Sequence, residues 1–182
     1  MHMRYIITFC LLWSCIITST SQEEIKSSKT QYNIIQFMAL PGNNLEGYGI
    51  SYSRMFSIDQ YIKFGGTIGY TSFNGFNQYQ MLPLSVDFTG DLTNKTAVVP
   101  FYQLGLGYAI GLSKDSTEDV DPIGGILFHA AVGIRGNGPT VQPFLSLGIR
   151  LQNFSYSGTD EYSNTDRLLK FERYQLSAGL VF

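Results

Sequence analysis

The 182-residue chain holds 12 Lys and Arg against 14 Asp and Glu, a formal charge of −2. That balance lacks the basic face that nucleic-acid binding requires, and the length suggests one domain after a leader is removed. Met1 to Arg4 is short and basic, and residues 5–18 form a mostly apolar run, too short to span a bilayer comfortably as a helix. Ser19 and Ser21 then place small residues where a signal peptidase reads them, so the sequence predicts a signal peptide over residues 1–21. Lipidation at Cys15, preceded by Leu12, is the alternative fate of this segment, although the bulky Trp13 fits a lipobox poorly. Cleavage after Ser21 would remove Cys10, Cys15 and the only tryptophan, Trp13. The mature chain then has no disulfide framework, no thiolate metal site and no cysteine nucleophile. Residues 22–30 are polar and without period, and read as a flexible leader.

From residue 31 onward the pattern is alternation. A first strand is predicted over about 31–40, with faces left open because Ile34 and Ile35 are adjacent. Pro41-Gly42-Asn43-Asn44 is a turn. A second strand over about 47–56 has Tyr48, Ile50, Tyr52 and Phe56 on one face and Gly49, Ser51 and Ser53 on the other. A third over about 61–73 sets Ile62, Phe64, Ile68 and Tyr70 against Lys63, Gly65, Thr67, Gly69 and Thr71; Asn74-Gly75 is a hairpin turn. The fourth, about 78–88, sets Leu82, Leu84, Val86 and Phe88 against Pro83, Ser85 and Asp87. Pro83 cannot donate to a ladder, which predicts a bulge or local break there.

The fifth strand, about 97–112, alternates most cleanly: Tyr102, Leu104, Leu106, Tyr108, Ile110 and Leu112 against Gln103, Gly105, Gly107, Ala109 and Gly111. The sixth, about 123–135, opposes Ile126, Phe128, Ala130, Val132 and Ile134 to Leu127, His129, Ala131, Gly133 and Arg135. The seventh, about 141–156, carries Leu145, Leu147, Ile149 and Leu151 on one face and Phe144, Ser146, Gly148, Arg150 and Gln152 on the other. The eighth, about 169–182, ends on Tyr174, Leu176, Ala178, Leu180 and Phe182 at every second position. Residues 113–121 and 157–167 are predicted as long polar loops, and residues 57–60, 89–96 and 136–140 as shorter connections.

Eight strands without a helical or long apolar segment predict an all-β, eight-stranded antiparallel up-and-down transmembrane β-barrel over residues 31–182, since only helices and closed barrels satisfy their backbone in lipid. The bulky apolar residues would overfill the narrow interior of eight strands, whereas the opposite faces of Gly, Ala, Ser and a few charges fit it. The apolar face is therefore expected to meet lipid, with tyrosines at the membrane interfaces. The competing architecture, a soluble lipocalin-type barrel with apolar ligand inside, would expose a glycine-rich face to water. The even strand count puts both termini on one side, with the second, fourth and sixth connections toward the periplasm and the longer, more acidic loops outside.

On Leu82-Pro83-Leu84, on Pro100-Phe101-Tyr102-Gln103-Leu104-Gly105-Leu106-Gly107-Tyr108 and on the terminal Phe182, residues 31–182 resemble the small outer-membrane β-barrel domain family common in Bacteroidetes-type bacteria, related in architecture to the eight-stranded outer-membrane protein A and X barrels. The resemblance implies the cell outer membrane, reached through the periplasm, and insertion by the barrel-assembly machinery. Tyr174, Leu176, Leu180 and Phe182 would carry the assembly signal. It implies no enzyme and no cofactor.

Lys63, Asp87, His129, Arg135 and Arg150 are the polar residues expected in the lumen. Unpaired buried charge is costly, so opposite signs should pair and plug the pore; a narrow water path is the rival. His129 would need a nucleophile and an orienting carboxylate to act as a lipid hydrolase, with Ser146 and Asp87 as the available types. Asp115, Glu118, Asp119 and Asp121 form an acidic loop whose spacing lacks the glycine-centred calcium loop; it could contact lipopolysaccharide through bridging cations. Asp115-Ser116-Thr117 also matches a short O-glycosylation motif. The functional expectation is an anchored barrel with a structural or surface-interaction role. The partners expected are lipid, lipopolysaccharide and an unidentified envelope or surface protein. A transport or secretion-accessory barrel is the alternative.

Overall fold

A computed structural model describes the backbone of residues 31–42, 46–74, 79–93, 96–112, 120–160 and 163–182, with the side chains of 74, 79, 120–123, 154–160 and 163–169 excepted. The expected signal peptide, Cys15, the 22–30 leader and most of the acidic loop, Asp115, Glu118 and Asp119 included, lie outside the described residues.

Alternating apolar and small residues pleat into eight strands: β1 (Gln31–Leu40), β2 (Glu46–Ser57), β3 (Ile62–Asn74), β4 (Tyr79–Asp91), β5 (Val98–Leu112), β6 (Val120–Gly136), β7 (Gln142–Asp160) and β8 (Ser163–Val181). Each pairs antiparallel with its sequence neighbours, and β8 returns to β1 with Ile34 opposite Val181 and Ala39 opposite Leu176, so the sheet closes as a barrel. Backbone bonds between Asn33 and Phe182, 2.8 and 2.9 Å in the two directions, extend that seam past the last strand residue. Closure removes the unpaired edges that an open sheet would present.

Which face is outside follows from exposure. Phe37, Ile50, Leu106, Ile126, Val132, Leu145, Leu147 and Leu176 are all exposed, while Gln36, Ser51, Ser53, Asp87, Gln103, His129, Arg150, Gln175 and Ser177 are buried. An exterior of large aliphatic and aromatic groups around a polar interior is the reverse of a soluble barrel and suits lipid. β1 resolves its ambiguity here: Ile34, Gln36, Met38 and Leu40 face in, and Phe37 faces out.

The local break expected at Pro83 is present: the β3–β4 ladder is interrupted between the pairs Ile68–Leu84 and Thr71–Met81, with the same register on both sides, so no extra residue is inserted. The register shift lies instead on β6, between Pro122 and Gly124. Gly124 adopts φ 107°, a left-handed conformation that side-chain-bearing residues disfavour. Residues 157–167, expected as a polar loop, are mostly strand: β7 and β8 pair continuously out to Asp160 opposite Ser163. A hairpin above the membrane has no lipid face, so its backbone pairs without an apolar alternation to announce it. β4 likewise runs past Phe88 to Asp91.

The turns at the terminus-bearing end are residues 58–61, 92–97 and 137–141. The longest strands, the 19-residue β7 and β8, extend away from that end. Short turns on one side and protruding structure on the other give the periplasmic and external ends of such a barrel.

Candidate functional site in the barrel lumen

The interior is layered, and each layer collects residues at matching heights of successive strands. At the periplasmic rim, Asp91 of β4 receives Lys63 of β3 at 2.5 Å and Arg135 of β6 at 2.7 Å, both on Oδ2. Above it Ile34, Met55, Phe101, Phe144 and Val181 pack together, with Tyr32 against them. Phe101 and Phe144 meet edge to face, centroids 5.8 Å apart. A second apolar layer near the outer end joins Leu40, Phe73, Met81, Ala109 and Phe171, with Phe73 and Phe171 stacked at 5.0 Å. Between the two layers lies a polar section.

Its hub is Asp87. The Thr67 hydroxyl donates to Oδ2 at 2.6 Å, the Ser85 hydroxyl to Oδ1 at 2.9 Å, and the Gln103 amide to Oδ2 at 3.3 Å. Having one hydrogen, Thr67 accepts in turn from Ser53, 2.7 Å away. His129 Nε2 stands 3.6 Å from Asp87 Oδ1. Gly105, directly opposite His129 in the β5–β6 ladder, makes the room: a Cβ there would collide with both the His129 ring and the Asp87 carboxylate. A cavity of about 20 Å³ beside this cluster is lined by Gln36, Thr67, Asp87, His129, Arg150 and Gln175, among others. It fits about one water molecule and no acyl chain.

The expected lumen residues are all inside, but they pair differently from the simple expectation. Lys63 and Arg135 share Asp91, which the sequence pattern places in a connection. Asp87 takes hydroxyls, an amide and His129. Arg150 reaches no carboxylate within 4.0 Å among the described residues; its Nε lies 3.4 Å from Gln152 Oε1 and its Nη1 3.6 Å from Met38 Sδ, and Nη2 has no partner. Gln152, in turn, donates to Met81 Sδ. The pairing of every charge is therefore corrected: burial fixed which side chains share the lumen, but alternation alone carries no height along the axis. Asp91 was legible in principle, since Asp87, Thr89 and Asp91 continue one face of period two.

The charges do not form the plug alone. Two apolar layers flank the Asp87, His129 and Arg150 section, the inner one separating it from the Lys63–Asp91–Arg135 rim, a feature hidden by Phe73, Phe101, Phe144 and Phe171 being few among many small inward residues. Chemically the polar section is a buried network with little access, satisfied around the Asp87 carboxylate but not throughout. Among the described residues His129 Nδ1 has no hydrogen-bond partner, and Ser146 Oγ is also unpartnered rather than bonded to the imidazole. Among the described residues no group of three or more His, Cys, Asp or Glu could hold a metal. Tyr174, Leu176, Leu180 and Phe182 all face outward on the closing strand and its end.

No family model matches the chain, and no curated protein sequence matches it. Solved structures do. Outer membrane protein AlkL, determined in DMPC lipid bilayers, superposes with a TM-score of 0.60 at 12% identity, over 90% of this chain and 95% of that one. The N-terminal β-barrel domain of Pseudomonas aeruginosa OprF superposes with a TM-score of 0.51 at 12% identity, over 86% and 100%. With its apolar exterior, polar interior and closed antiparallel sheet, the chain has the fold of the small eight-stranded outer-membrane β-barrels, and the surface it presents is one that an outer membrane solvates.

Proposed function

We propose that this chain is an integral outer-membrane barrel of structural and surface-interaction type, of the small barrel-domain family that its strand motifs resemble, and neither a channel nor an enzyme. The observation that carries this reading is the layered lumen: two apolar layers enclose a polar section whose cavity is only about 20 Å³. A cavity of that size, about one water molecule, leaves no room beside His129 for a solute or a lipid substrate. Contact with partners then falls to the projecting β7–β8 hairpin, because loops on a rigid scaffold are where binding residues concentrate. The exterior binds lipid, and the outer end faces lipopolysaccharide; the outward residues of β8 serve the barrel-assembly machinery.

A second reading, an accessory to transport or secretion, draws on the periplasmic turns, where Ile58 and Leu92 are 60% and 70% exposed. One experiment separates the two. Residues 22–182 contain no cysteine, so Thr159→Cys gives a single reactive position on the hairpin. Intact cells treated with a membrane-impermeant maleimide cross-linker should label it and capture surface or host ligands. Protection from the reagent in intact cells, with capture only of periplasmic proteins from an Ile58→Cys variant, would replace the surface role with the accessory one.

A further inference from the structure

One polar group faces the wrong way for the lumen. Arg54 of β2 lies on the outward face with Tyr52 and Phe56, three residues before the strand ends at the periplasmic turn. Its Nη2 donates to Gln31 Oε1 at 2.7 Å, and the Tyr52 hydroxyl donates to Asn33 Oδ1, also at 2.7 Å. Both amide oxygens are thus occupied by donors. The Gln31 and Asn33 amide nitrogens are left as donors without an acceptor among the described residues. Arg54 Nε is buried and unpartnered, and no carboxylate stands within 4.0 Å of this guanidinium among the described residues. The Phe56 ring lies 6.0 Å from the guanidinium carbon, and Phe56, Phe64 and Phe88 continue as a row of outward aromatics, with centroids 6.1 and 6.4 Å apart.

A cluster holding a cation and two further amide donors, with no anion of its own among the described residues, near the periplasmic end of β2, matches the phosphodiester of a lipid headgroup. We propose that Gln31, Asn33 and Arg54, with Tyr52 fixing the Asn33 amide, form a binding site for the phosphate of one phospholipid of the periplasmic leaflet. The site rests on the membrane-embedded reading above. Arg54 gives the charge and the two amides give direction; Lys in its place would keep the charge and lose the fork that holds Gln31.

Native mass spectrometry of the full chain, refolded in detergent and titrated with dioleoyl phosphatidylglycerol, tests it. The wild type should retain one lipid, Arg54→Gln should weaken retention about tenfold, as expected for losing charge-assisted hydrogen bonds, and Arg54→Lys should fall between. Gln31→Glu, at the exposed start of β1, should abolish retention by giving Arg54 an internal anion, and this surface change leaves folding intact. Dioleoylglycerol, which lacks the phosphate, should show no difference between wild type and variants. Equal phosphatidylglycerol retention by wild type, Arg54→Gln and Gln31→Glu overturns the site. Capture of inorganic phosphate as readily as lipid overturns the lipid assignment. Insertion into vesicles, read by the electrophoretic mobility shift of folded barrels, is scored separately: a wild type that inserts without selective retention condemns the site alone, whereas failure to insert removes the membrane reading and the site with it.

Discussion

Asp91 is the residue on which the periplasmic rim depends, because one carboxylate oxygen serves both Lys63 and Arg135. Removing it strands two buried cations, a loss of about 3–5 kcal/mol for a broken buried pair. Asp91→Ala should therefore lower the urea midpoint of the reconstituted barrel sharply, followed by the mobility shift between folded and unfolded forms; an unchanged midpoint would mean the cations find water instead. At Gly105 the cost comes from overpacking. A methyl group there meets the His129 ring and Asp87 together, and forced insertion into a packed interior costs about 1–3 kcal/mol. Gly105→Ala should destabilise the barrel by that order, and His129→Ala in the same chain should restore part of it, because the ring that clashes is then gone. Full additivity of the two substitutions would refute the shared-space argument.

Asp59 offers a pH test outside the lipid. Its Oδ1 accepts the backbone N–H groups of Tyr61 and Ile62 at 2.6 and 2.7 Å, closing the turn between β2 and β3. The Ile62 and then the Tyr61 bond favour the carboxylate and hold its pKa below the ordinary 3.8. The sign follows: a folded pKa below the unfolded one gives stability that is present above the ordinary value and lost as pH falls through the lowered one. The Ile62 amide proton shift of the micelle-embedded barrel should stay constant from neutral pH down to about 4 and move only in the acid range below. In Asp59→Asn that movement should disappear; its persistence would assign the titration to another group.

At the scale of elements, legibility followed the solvent. Within the membrane each strand had one face toward lipid, so Leu104, Leu106, Tyr108 and Ile110 announced β5 as plainly as any sequence pattern can. The lumen side was legible in composition but not in height, which is why Lys63, Asp87, His129, Arg135 and Arg150 were placed inside while their partners were not. Beyond the bilayer the signal vanished: residues 157–160 and 163–167 pair strand to strand without any apolar period. From Gln142 to Tyr156, β7 already rises about 35 Å after tilt, past an apolar band of about 25 Å. Replacing residues 157–166 by Asn-Gly would rejoin Tyr156 to Arg167, which stand opposite each other, through a favoured two-residue turn. That variant should fold and insert with an unchanged urea midpoint while losing whatever the hairpin binds. A failure to insert would show that the projecting hairpin nucleates the barrel.

For the whole molecule the decisive arrangement is that two independent apolar layers are in series. A water path must breach both, so the barrier is not that of the charged groups between them. Phe101 and Phe144 dominate the inner layer and Phe73 and Phe171 the outer one. Trimming either pair to alanine removes about two aromatic rings' worth of packing and leaves the other layer intact. In a planar bilayer the wild type should show no steady conductance, and neither should Phe101→Ala/Phe144→Ala nor Phe73→Ala/Phe171→Ala. Only the fourfold variant should open, and its current should then respond to Asp87→Asn and Arg150→Gln, because the polar section has become the lining of a pore. Conductance in the wild type would disprove the sealed lumen outright. Conductance in one double variant alone would show that a single layer is the gate and that the polar section between the layers is already wet.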